Sequence, residues 1–127
     1  SDSWTGSGTA LVVDDEESVR SLAKDVLEAV GFRVLTAADG NEAIEVFREH
    51  MDDIRVVILD LTMPRMDGEE CHRALVGLRS DVRVILSSGY SEQEVTRRFA
   101  GSGIRGFVQK PYRLATFKAK IRAALED

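Results

Sequence analysis

Three aspartates, two serines and a lysine stand out because each follows a short apolar run. Asp14 and Asp15 come after Ala10 to Val13, Asp60 after Val56 to Leu59, Ser87 and Ser88 at the close of the run begun by Val82 to Leu86, and Lys110 after Ile104 to Val108. Carboxylates brought to about 4 Å of one another repel by roughly 4 kcal/mol per pair in a surface-like dielectric. A hard divalent cation relieves that repulsion. Magnesium is the natural candidate, since it takes oxygen ligands, often one or two carboxylates, and completes its shell with water and substrate phosphate. An ammonium and a hydroxyl suit the oxygens of a phosphoryl group on a carboxylate, and an aspartyl phosphate is an established covalent intermediate. The implied chemistry is phosphoryl transfer onto Asp60, with Lys110 and Ser88 as its contacts. Plainer explanations exist for each residue alone. An acidic run such as Asp14-Asp15-Glu16-Glu17 before a helix commonly caps it and suits its dipole. Lone lysines are usually solvated, and lone serines often close turns. Asp60 escapes this account, because Leu61-Thr62-Met63-Pro64 follows it and no helix does.

The elements that must hold these residues alternate along the chain. Ala10 to Val13 is apolar on both faces, as a central parallel strand is. Val19, Leu22, Ala23, Val26, Leu27 and Val30 then mark one face of a helix that Gly31 can end. Arg33 to Ala37 is a second strand. Asp39 and Glu42 have capping-box spacing before a helix carrying Ala43, Ile44 and Phe47. Val56 to Leu59 is the third strand, and Glu69 to Leu78 a helix with Cys71, Leu75 and Leu78 at helical spacing. Val82 to Leu86 is the fourth strand, followed by a helix from the Ser91/Glu94 capping box through Phe99. Ile104 to Val108 is the fifth strand, stopped by Pro111. A last helix bears Leu114, Phe117, Ile121, Ala124 and Leu125. Five such alternations predict an α/β, doubly wound parallel sheet of five strands with five helices, in which the first and third strands are neighbours in most of the allowed orders. In that architecture ligands bind at the carboxyl ends of the strands, where all the polar residues above collect.

Composition narrows the function classes. The 127 residues suffice for one domain, and 43% hydrophobic with 31% charged residues can bury a real core. A net charge of -5 has the wrong sign for gripping a phosphate backbone, so no direct nucleic-acid contact is expected. Apolar runs of at most about five residues are too short for a membrane span or a secretory signal, so the expected location is cytoplasmic. Cys71 has no partner for an internal disulfide, and His50 and His72 lack companions at ligand spacing; none of the three is given a function. Residues 1–8, with three serines, two glycines and Trp4, are expected to be a linker or an expression remnant, leaving 9–127 as the folded domain.

From residue 9 to 126 the chain resembles the receiver domain of two-component response regulators, a CheY-like domain. The resemblance rests on an ordered set of motifs: Leu11-Val12-Val13-Asp14-Asp15-Glu16, Asp60-Leu61-Thr62-Met63-Pro64-Arg65-Met66-Asp67-Gly68, Ser88-Gly89-Tyr90 and Gly106-Phe107-Val108-Gln109-Lys110-Pro111. It implies the flavodoxin-like sheet order 2-1-3-4-5, and that Asp60 accepts a phosphoryl group from phosphohistidine. It also implies that Asp15, Asp60 and the backbone carbonyl of Thr62 hold Mg2+, or Mn2+ in its place, with Asp14 supporting the ion through water. Lys110 would neutralise the phosphoryl charge, and Lys110-Pro111 would be a cis peptide. Ser88 would follow the phosphoryl group inward while Phe107 turns from outside to inside. Thr62 and Tyr90 would flank the path of an attacking water, and neither is a base; the bulk of Tyr90 is expected to slow hydrolysis.

The implied partners are a histidine kinase or histidine phosphotransfer domain. A second copy of the chain could use the face formed by the fourth helix, fifth strand and fifth helix, where Arg97, Arg98, Phe107, Tyr112 and Arg113 mix aromatic and basic groups. The stretch Trp4-Thr5-Gly6-Ser7-Gly8-Thr9 entering the first strand, with the closing Lys110-Pro111-Tyr112 and terminal helix, resembles the C-terminal receiver of a hybrid sensor histidine kinase, and no output domain is expected in this fragment. The alternative is a stand-alone single-domain regulator. In neither case is the fragment an enzyme beyond self-dephosphorylation, although the parent chain would be a histidine protein kinase in the first. An aspartyl-phosphate phosphatase of the haloacid-dehalogenase type would want a second acid two residues past the nucleophile, where Thr62 stands. A flavodoxin-like cofactor binder would need a phosphate-friendly first loop, and Asp14 to Glu17 repel phosphate. A purely structural interaction domain would require the acidic rim to be degenerate.

Overall fold

The computed structural model describes residues 4–126. Five strands, β1 (Thr9–Val13), β2 (Arg33–Ala37), β3 (Ile54–Asp60), β4 (Val84–Ser88) and β5 (Gly106–Gln109), alternate with α1 (Glu17–Ala29), α2 (Gly40–His50), α3 (Gly68–Leu78), α4 (Glu92–Arg98) and α5 (Leu114–Leu125). All strand pairs are parallel, in the order β2-β1-β3-β4-β5. The predicted doubly wound sheet is therefore the observed one. Alternation along the strands sorts the core into two halves. Leu11, Val13, Val57, Leu59, Val84 and Leu86 face α2, α3 and α4 through Phe47, Leu75, Val95 and Phe99. Ala10, Val12, Val56, Ile58, Ile85 and Val108 face α1 and α5 through Leu27, Phe117 and Ile121.

Local chemistry explains most of the element ends. Asp39, Asp67 and Ser91 cap α2, α3 and α4 by accepting from the backbone N–H three residues on. Gly31, at φ +111, ends α1 in a backbone region that a side chain would strain. Several sequence expectations shift. β3 begins at Ile54, two residues early, because solvent-facing Arg55 interrupts the apolar run without interrupting the strand. β4 spans Val84–Ser88 instead of Val82 to Leu86, since the N–H of Val82 bonds back to Arg79 O in a turn and Val82 is buried as a loop residue. β5 starts at Gly106, after a turn with positive φ at Gly101 and Gly103. Leu22, expected on the buried face of α1, is 47% exposed. At 3.6 residues per turn it lies roughly 90° from the mean direction of Ala23, Val26, Leu27 and Val30. Leu114, the first residue of α5, is likewise exposed.

Of the stretch expected to be a linker, residues 1–3 lie outside the described residues. Beyond them the Trp4 ring lies 6.2 Å from that of Phe32, and the Gly6 N–H donates to Val30 O at 2.6 Å. No helix among the described residues is long and apolar enough to cross a membrane.

Candidate functional site

The carboxyl ends of β1 and β3 are adjacent because β1 and β3 pair, with Val13 opposite Leu59. Asp14 and Asp60 follow as the next residues on each, and both side chains are almost wholly buried. Asp15 is exposed, and one oxygen from each of the three carboxylates falls within 4.8 Å of the others. Lys110, leaving β5, reaches across with its Nζ 2.8 Å from Asp14 Oδ2, 3.2 Å from Asp60 Oδ1 and 4.0 Å from Glu16 Oε1. The sequence-predicted acidic residues and lysine are thus brought together.

The acidic run does not cap α1. Glu16 stands at the N-cap position without a side-chain hydrogen bond, and the Glu16 N–H instead donates to Asp14 Oδ1 at 2.9 Å. Arg20 of α1 donates to the Asp14 carbonyl at 2.7 Å, fixing the loop from outside. Asp60 Oδ1 accepts from the Thr62 N–H at 3.3 Å, and Gly68 N–H donates to Leu61 O at 2.8 Å. That last contact is so close that a Cβ on Gly68 would meet Asp60 O at 2.6 Å, so α3 can start against the aspartate strand only with glycine there.

Electrostatics follow from this burial. Desolvation, reinforced by the Asp14 charge and opposed by Lys110, pushes the Asp60 carboxyl up to about 6. Burial works against the Lys110 ammonium too, but Asp14 and Asp60 together outweigh it and hold its pKa above the ordinary lysine value. The buried Asp14 Oδ2 has the Lys110 ammonium as its charge partner at 2.8 Å. A donor set of three convergent carboxylates, all oxygen and none of it sulfur or imidazole, fits a hard divalent cation and not a soft one. Cys71 and His72 lie on α3 and His50 at the end of α2, away from this set. Burial pushes the Cys71 thiol up to about 12, which makes it an inert core group.

The other predicted residues lie around the rim. Ser88 is buried at the end of β4, where its Oγ accepts from the Tyr90 N–H at 2.8 Å. Tyr90 is 51% exposed, beside a shallow depression of about 120 Å³ that Leu61, Glu94, Val95 and Arg98 complete. Phe107 is half-buried against the α2-α3-α4 side of the core. The Lys110-Pro111 peptide is cis. Tyr112, read from the sequence as part of a partner surface, instead turns inward: its ring stacks on Phe117 at 4.6 Å and its hydroxyl shares a 2.7 Å hydrogen bond with Ser87 Oγ. Sequence reasoning missed this pair and Arg20. Alternation could have placed Ser87 on the sheet face of Asp60, its register partner, but nothing in the sequence predicts where a residue beyond Pro111 will turn.

A doubly wound sheet of this order, carrying an acidic cluster and a lysine at its carboxyl rim, defines the CheY-like class of phosphoacceptor signalling modules. Residues 10–122 match the response regulator receiver domain family. The chain belongs to that family, whose members serve two-component signalling. It is 34% identical over 122 residues to the sensor kinase CckA of Brucella abortus (strain 2308), covering 96% of this chain and 13% of the kinase. It is 33% identical over 103 residues to the chemotaxis protein CheY of Bacillus subtilis (strain 168), covering 80% of this chain and 84% of that one. Among solved structures, the CheX-CheY-BeF3-Mg+2 complex from Borrelia burgdorferi superposes with a TM-score of 0.88 at 28% identity, covering 94% of this chain and 90% of that one. The chain therefore spans about an eighth of the length of its kinase relative.

Proposed function

We propose that Asp60 accepts a phosphoryl group from a phosphohistidine, in a site held by Mg2+, and that the domain thereby switches conformation. The observation that carries this reading is the buried Asp60 carboxylate flanked by Asp14, Asp15 and the Lys110 ammonium. An Asp60 oxygen attacks phosphorus, the P–N bond breaks as the P–O bond forms, and the donor's imidazole, already protonated on its other nitrogen, leaves as the neutral ring. Asp15, Asp60 and the Thr62 carbonyl would hold the ion, with Asp14 supporting it through water; Mn2+ is an alternative occupant. When bound, the ion offsets the negative charge that gathers on the transferring phosphoryl oxygens. Lys110 supplies the second cation at the same oxygens. Ser88 then leaves the Tyr90 N–H for the phosphoryl group, and Phe107 turns into the space it vacates.

The partners on this reading are a histidine kinase or histidine phosphotransfer domain, with a second copy of the chain docking through α4, β5 and α5. We place the domain in a hybrid sensor histidine kinase, on the strength of its likeness to CckA across nearly its whole length, and in the cytoplasm. The parent chain would then be a histidine protein kinase. The likeness to CheY, which is matched over most of its own length, favours a second reading as a stand-alone regulator. Incubation with acetyl phosphate and Mg2+ tests the first step. Intact mass should rise by one phosphoryl group in the native chain and not in Asp60→Asn or without the metal; equal phosphorylation of the Asp60→Asn variant would refute the assignment.

A further inference from the structure

The β5–α5 loop, which delivers Lys110 to Asp60, is tied to the last two residues of β4 at both of its ends. At its start the Lys110 N–H donates to Ser88 O at 2.8 Å. At its far end, two residues on, the Tyr112 hydroxyl bonds Ser87 Oγ at 2.7 Å, and its ring is clamped flat on Phe117 of α5. Ser87 is fully buried and is the register partner of Asp60, so its side chain stands next to that of Asp60 on the same face of the sheet. The Ser87 carbonyl also accepts from the Leu61 N–H at 2.9 Å, which ties the same residue to the backbone just beyond Asp60. Ser87 thus touches both halves of the site, the strand that carries the aspartate and the loop that carries the lysine. Without the hydroxyl pair the loop would keep its first tie and the ring stack on Phe117, but it would lose its direct bond to the residue that stands beside Asp60.

We infer that Tyr112 is a positioning residue: acting through Ser87, it holds the β5–α5 loop so that Lys110 reaches the oxygens of a phosphoryl group on Asp60. The inference rests on the phosphoacceptor reading above. It concerns the orientation of Lys110 and not the metal, so the two are separable by experiment.

The experiment compares the native chain with Tyr112→Phe, Ser87→Ala and the double variant, measuring phosphorylation rate against acetyl phosphate concentration and Mg2+ affinity by calorimetry. Tyr112→Phe keeps the ring stack but leaves the Ser87 hydroxyl without its partner, whereas the double variant removes both polar atoms. The maximal rate should fall about fivefold in each single variant, the equivalent of one neutral hydrogen bond. The half-saturating donor concentration and the Mg2+ affinity should stay within twofold of native. The double variant should be no slower than either single, because both changes break one link. A native rate in Tyr112→Phe overturns the inference, as does multiplication of the two effects in the double variant. A parallel loss of Mg2+ affinity also overturns it, by showing a general disturbance of the carboxylates. If Ser87→Ala does not fold, the rate and Mg2+ affinity of Tyr112→Phe decide alone. No phosphorylation of the native chain would instead refute the phosphoacceptor reading, and this inference with it.

Discussion

Replacing Lys110 by Met removes one charge and keeps most of the side-chain volume, so its cost measures what the ammonium does between two buried carboxylates. The Nζ lies 2.8 Å from Asp14 and 3.2 Å from Asp60, and all three groups are mostly shielded from solvent. Breaking a buried pair by deleting one partner costs about 3–5 kcal/mol, because the remaining charge stays desolvated. The lower end applies, since an Asp60 carboxyl already pushed to about 6 can take up a proton and escape part of the penalty. For a chain of this length, about 3 kcal/mol corresponds to a fall in Tm of about 10 °C. Differential scanning calorimetry at pH 7.5 in a chelator should show that fall. Saturating Mg2+ should return more than half of it, because a divalent cation supplies the missing positive charge to the same oxygens. Asp60→Asn should also soften the loss, so that Lys110→Met costs less on top of Asp60→Asn than in the native chain. An unchanged Tm in the chelator would refute the electrostatic reasoning, and so would a loss that is equal with and without Mg2+.

Two further outcomes test the surroundings of the site. Tyr90→Ala removes the bulk beside the expected path of water and should shorten the lifetime of the phosphorylated form about threefold, worth ~0.7 kcal/mol, by loss of radiolabel; an unchanged or longer lifetime would contradict the shielding role. Burial first, then the neighbouring Arg73 charge, lowers the His72 pKa below 6.5. The unfolded chain then binds more protons than the folded one just below pH 6.5, so this contribution to stability is present above that pH and is lost as the pH falls. Between pH 7.5 and 5.5 the urea midpoint of the native chain should therefore drop more than that of His72→Gln, and parallel curves would show that His72 carries no such linkage.

The fold was legible because apolar runs and capping boxes recur at regular intervals, and parallel strands buried on both faces read as unbroken apolar runs. Its edges were not, where tertiary contacts overrode local pattern. Arg55 sits within a strand with its side chain in solvent, and Val82 is apolar, buried and yet part of a turn. The carboxylates and Lys110 could be placed at one rim because strand polarity is fixed in a doubly wound sheet. Tyr112 could not, because its placement rests on two tertiary contacts, the stack on Phe117 and the bond from the loop to Ser87 of β4. Composition alone made Tyr112 a surface aromatic, whereas its hydroxyl is the part that needed a buried partner.

The energies available at the rim decide how far phosphorylation could move this domain. In the present structure the Ser88 hydroxyl accepts one bond from the Tyr90 backbone, a neutral contact worth about 1 kcal/mol net. A hydrogen bond to a phosphoryl oxygen is charge-assisted and worth about 1.5–3 kcal/mol, so the exchange gains ~1 kcal/mol and shifts a two-state equilibrium only about fivefold. Inverting a 1:99 population takes about 5.5 kcal/mol. Phe107 adds little by burial alone, since a full side chain gives about 1.5–3 kcal/mol and this one is already half-buried. On the proposed reading, part of the remainder would come from Lys110, whose Nζ already lies 3.2 Å from Asp60 Oδ1, as it and its loop adjust to the new charge. A loop pinned by Ser87 and Ser88 would pass that movement to Phe117 and α5. On the proposed reading, loosening the Tyr112 tie should therefore weaken the conformational response as well as slow the chemistry.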